Sequence, residues 1–119
     1  MRQEQESYIA PGLADAGGQV AQLRQVLALV EELAGTDAAA PGGAALDQAA
    51  RISEAYARAL PIDQRRYDFH AADTARWAAA GVEALLQLEE RRRPCRAAAR
   101  ILAEKLSRAL AELERIVRA

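Results

Sequence analysis

From Pro94 to Ala119 the chain keeps one helical period without interruption, and that stretch limits what the rest can become. At 100° per residue, Cys95, Ala98, Ala99, Leu102, Leu106, Ala109, Leu110, Leu113, Ile116 and Val117 fall within about 120° of arc. Arg96, Arg100, Glu104, Arg108, Glu112 and Arg115 occupy the other side, with opposite charges repeatedly four residues apart. Pro94 suits the first turn of such a helix. An amphipathic helix of this length is stable only when its stripe is covered, so the remaining chain must supply partner helices.

Its composition allows that. With 30 Ala and 14 Leu against one Phe, one Trp and three Tyr, the chain favours helix and leaves little material for strands. An all-α fold is expected, and 119 residues suffice for one domain only. Alanine supplies about half of the hydrophobic residues, so the core area is thin. Close helix packing or association between subunits must make up the difference.

Residues 1–10 (MRQEQESYIA) are polar and aperiodic and read as a tail, leaving 11–119 as the bundle domain. Leu13, Ala16, Val20, Leu23, Leu27, Val30 and Ala34 recur at spacings of three and four, predicting a helix over 13–34. Gly17 and Gly18 read as a loose start to it, or else as a point of close backbone approach. Gly35 is its expected C-cap, followed by a flexible linker to Gly43. A second helix is expected over 44–60, facing inward with Ala45, Ala49, Ile52, Tyr56, Ala59 and Leu60 and stopped by Pro61. Asp63 then serves as N-cap for a third helix over 64–90, and the stretch opening at Pro94 is the fourth, over 94–118. The expected architecture is a four-helix, mostly up-down antiparallel bundle.

The third helix is apolar on two sides. Trp77, Gly81, Ala84, Leu85 and Leu88 form one stripe, with His70, Asp73 and Thr74 on the same side, while Ala71, Ala75, Ala78, Ala79, Val82 and Leu86 lie roughly opposite. A four-helix monomer leaves one of those faces wet. Ala75, Ala79, Val82 and Leu86 are therefore the expected contact of a homo-oligomer; a helix central to its own bundle is the alternative.

Residues 89–100 (EERRRPCRAAAR) run against the helix dipole, with Glu89 and Glu90 at a C-terminus and Arg96 at the next N-terminus. Arg91, Arg92, Arg93, Arg96 and Arg100 make this turn the candidate site for an anion or an acidic protein partner. Pairing of Glu89 and Glu90 with these arginines is the plainer reading. Cys95 falls within the core stripe and is expected as a small core residue, despite its basic surroundings.

The single histidine, His70, has no second histidine or paired ExxH motif near it, so neither a metal nor another cofactor is expected. Its plain reading is a core-edge histidine bonded to Asp73 or to a backbone carbonyl. The segment RRYDFH, from Arg65 to His70, resembles the arginine, four to six residues, histidine signature of the HEPN all-α ribonuclease family. That resemblance implies an RNA- or nucleotide-directed activity, with Arg65 beside the phosphate and His70 transferring a proton.

No phosphate loop, dinucleotide fingerprint, GxSxG or zinc-finger spacing occurs in the chain. A net charge of −1 speaks against a general nucleic-acid or membrane-surface binder, although local binding of nucleic acid through Arg91 to Arg100 stays open. One cysteine precludes an internal disulfide, and no leader or run of about 18 apolar residues is present, so a cytoplasmic location is expected. Fifteen arginines against one lysine fit a bacterial gene of high GC content. The leading expectation is a small non-enzymatic interaction protein, homodimeric through the third helix, with the basic turn facing an acidic partner.

Overall fold

The computed structural model describes residues 16–35 and 43–118. Four helices account for nearly all of them: α1 Ala16–Leu33, α2 Gly43–Arg58, α3 Pro61–Glu90 and α4 Arg96–Arg118. The fold is all-α. The 1–10 tail, the expected first turn at 13–15 and most of the linker lie outside the described residues.

As its stripe requires, α4 packs on α1, α2 and α3, and α1 likewise packs on the other three helices. In α4, Ala99, Leu106, Leu110, Leu113, Ile116 and Val117 are buried, each of the larger ones removing enough apolar surface to contribute about 1.5–3 kcal/mol. Val20, Leu23, Leu27 and Val30 of α1 and Ile52 of α2 meet them. Ala98, at the edge of the predicted arc, is exposed. The helix also starts later than expected, at Arg96, leaving Pro94 in the turn ahead of it.

Neighbouring helices are placed by specific contacts. A Cβ added to Gly81 would lie 2.8 Å from a terminal methyl of Leu102, so the glycine makes room for that leucine. One turn earlier the Lys105 ammonium sits 4.4 Å from the centroid of the Trp77 ring, a cation–π contact. The two pairs run in opposite sequence directions, so α3 and α4 are antiparallel.

At the start of α1 the reading of Gly17 as a loose beginning is corrected. Gly17 is buried and helical, and the absent side chain lets α1 reach the backbone of α2 at Ala49 and the Cβ of Ser53. Further along, Arg24 donates to Gln48 at 2.8 Å, and Gln48 in turn donates to Glu114 at 2.9 Å. This chain ties α1, α2 and α4 together through one half-buried amide.

The α2–α3 corner also differs from expectation. Instead of merely stopping α2, Pro61 opens α3 at its first position, where a missing N–H costs nothing. Leu60 takes the N-cap position without a side-chain cap, so Asp63 is not the N-cap; it pairs with Arg66 at 3.2 Å. Leu60, expected to face inward, is consequently exposed. Gln64 Nε2 donates to the Tyr56 carbonyl at 2.8 Å, beside the Ala59 N–H that donates to the same oxygen at 3.1 Å, and so ties the start of α3 to the end of α2.

The buried seam of α3 runs between the two predicted faces, through Tyr67, Ala71, Thr74, Ala78 and Leu85. Tyr67 is wholly buried, its ring edge-on to Tyr56 at 5.3 Å, and its hydroxyl donates to the Ala16 carbonyl at 3.0 Å. It joins the first half of α3 to the beginning of α1.

Candidate functional site

Between α1 and α3 the surface opens into a groove of about 880 Å³. Val26 and Leu29 form one wall and Ala75, Ala79, Val82 and Leu86 the other. All four residues expected to form a subunit contact thus share one concavity. Val82 is half-buried, while Leu86 is 44% exposed and Leu29 40% exposed. Apart from Ala71 and Ala78, which are buried, the apolar second face of α3 is therefore not closed over by the described part of the chain. Gln19, Gln22, Glu83, Gln87 and Glu90 supply its polar lining.

Its cause lies in side-chain size. Ala71 and Ala78 are buried against α1, but a methyl group is too short to fill the space over which Ala75 and Ala79 look outward. Since α3 spans 30 residues and α1 only 18 described ones, α1 cannot cover α3 along its whole length.

At the end of α3 the backbone closes a Schellman motif: Arg92 N–H donates to Glu89 O at 2.9 Å and Arg93 N–H to Leu88 O at 2.8 Å. Arg92 takes the left-handed position, with φ of 57°. Glycine holds that conformation without cost, whereas a side chain there costs on the order of 1 kcal/mol. Arg91, Arg92 and Arg93 are all exposed. Among the described residues, none of them, nor Arg96 or Arg100, forms an ion pair with Glu89 or Glu90 or with any other acid. The plainer reading of this turn, a self-neutralised one, is thereby corrected.

The five arginines do not form one cluster aimed at one point. Arg96 reaches the end of α1, where a Cβ added to Gly35 would meet its Nε at 2.9 Å. Gly35 has φ of 75° and is the expected C-cap; a guanidinium there opposes the negative end of the helix dipole. Cys95 is half-buried against Val30, Ala34, Leu85 and Ala99 rather than fully enclosed.

Arg65 and His70 are both exposed on α3 and, five residues apart, point about 140° away from each other around the helix. His70 stacks edge-on with Phe69 at a centroid distance of 6.0 Å. Its expected partner Asp73 pairs with Arg76 instead, so the core-edge placement of His70 is corrected. The charge-paired rows expected on α4 close differently too, Glu112 with Arg115 and Glu114 with Arg118. Among the described residues no three His, Cys, Asp or Glu side chains converge as metal ligands would, and no helix is long and apolar enough to cross a membrane.

No protein-family model matches the chain, and neither a curated protein nor a solved structure does.

Proposed function

We propose that the protein is a small non-enzymatic interaction module of the cytoplasm, in which two copies associate through the α1–α3 groove and the basic turn receives an acidic partner. The observation that carries the first part is the pair Leu29 and Leu86, large apolar side chains held open on facing walls of one groove. Exposed apolar surface of this kind is costly in water and is ordinarily covered by another chain.

The basic turn is supported by guanidinium groups that form no ion pair among the described residues and by the strain at Arg92. Arg92 stands where the backbone favours glycine, and such strained positions belong disproportionately to working surfaces. With exposed charges at its edge, this site recognises partners by electrostatic complementarity, and its binding weakens as salt rises.

Leu86→Glu tests the main reading, because it adds a charge to the groove without disturbing the buried seam. Light scattering should give a mass twice the 12.8 kDa of one chain for the wild type and the single-chain mass for the variant. A wild type of single-chain mass at about 100 μM, where even a weak interface of standard size is occupied, contradicts the reading.

A further inference from the structure

The α3 wall of the groove repeats every seven residues. Ala72, Ala79 and Leu86 share one heptad position and Ala75 and Val82 the other apolar one, while Arg76 and Glu83 follow each other along the outer edge. On the inner edge, Ala71, Ala78 and Leu85 are already buried within their own chain. Only the seam and its outer edge are open to a second helix.

The charges on that edge discriminate between orientations. Two α3 helices meeting antiparallel about a two-fold axis between Ala79 and Val82 set Ala79 of each against Val82 of the other, and Ala75 against Leu86. The same register brings Arg76 of each copy opposite Glu83 of the other, twice by symmetry. Parallel pairing instead turns the outer edge of one helix toward the inner edge of its partner, where Ala71, Ala78 and Leu85 offer no charge at all.

We propose that the occupant of the groove is α3 of a second copy, docked antiparallel, with reciprocal Arg76–Glu83 pairs at the outer edge. This rests on the dimeric reading above and adds its register. Arg76 is paired with Asp73 on its own helix, yet its side chain is 74% exposed, so donors of its five-donor fork remain for a second carboxylate. Glu83 is exposed and has no ion-pair partner among the described residues. Ala72, Ala75 and Ala79 keep the seam flat enough for an interaxial distance of about 8 Å. From Ala72 to Glu90 the contact is ~27 Å long. With the α1 wall added, it falls at the small end of specific interfaces, which places the association in the reversible range, on the order of micromolar.

The test is a charge exchange followed by sedimentation equilibrium on the full chain, with circular dichroism to confirm that each protein is folded. Arg76→Glu alone and Glu83→Arg alone each create two like-charge contacts and should weaken dimerisation about ten-fold or more. The double variant Arg76→Glu/Glu83→Arg restores both pairs and should return to within about three-fold of the wild type. A double variant no tighter than the single ones overturns the register, as does a wild-type dimer indifferent to both single changes; in either case the dimer itself stands. A monomeric wild type removes the dimeric reading and the register together.

Discussion

Gly17 and the Ala49 carbonyl stand so close that a Cβ on Gly17 would lie 2.5 Å from that oxygen. The obstacle is backbone, which cannot swing aside as a side-chain tip can. Gly17→Ala should therefore destabilise the fold by about 1–3 kcal/mol through overpacking, even though alanine is the better helix former by roughly 1 kcal/mol. Urea denaturation checks the sign: a variant as stable as the wild type means that α1 and α2 do not approach this closely.

At the α3–α4 turn the opposite outcome is expected. Arg92 occupies the left-handed position at φ 57° with its two flanking hydrogen bonds formed. Arg92→Gly relieves the strain and should raise stability by about 0.5–1 kcal/mol. Arg92→Ala keeps the Cβ and should gain little. Thermal melts of the two variants side by side separate backbone strain from any effect of removing the charge, because both remove it.

Glu114 gives the fold an acid-sensitive point. The hydrogen bond from Gln48 is the main reason its carboxyl is held below the ordinary range; burial opposes this, while Arg118 and Arg51 reinforce it. A carboxyl with a depressed folded-state pKa stabilises the fold above its unfolded value of about 4.3, and that stability is lost as pH falls through the folded value. Glu114→Gln should cost about 1–2 kcal/mol at pH 7, and its deficit relative to the wild type should shrink as pH drops below about 4.3. A deficit independent of pH would mean that the charge on Glu114 plays no part.

The readable parts of the fold were those where one property dominated. The α4 stripe mixes large aliphatics with a charged far side, so its period survives inspection, and Gly35 at a helix end has few other uses. Tyr67 was not readable as core. It sits in RRYDFH between charged neighbours, and its burial depends on α1 presenting the Ala16 carbonyl 51 positions away in sequence. On α3 the seam itself was misplaced, because alanines all around that helix make its apolar period ambiguous. Pro61 reads as a stop in the sequence because a proline disfavours helix in the residue before it; the same proline is well suited to begin the next helix.

That Ala75, Ala79, Val82 and Leu86 share an open apolar wall is legible because α3 carries apolar residues on two sides. The groove's other wall, Val26 and Leu29, lies off the seam of threes and fours that marks α1 in the sequence. The left-handed turn at Arg92 carried no signal, since nothing in three consecutive arginines marks the middle one as taking a glycine's place.

Sedimentation equilibrium of the wild-type chain over a hundred-fold concentration range tests the central claim most directly. The account predicts a weight-average mass that rises with concentration from one chain toward two and stops there, because a two-fold contact is closed. A mass fixed at that of one chain across the range contradicts it.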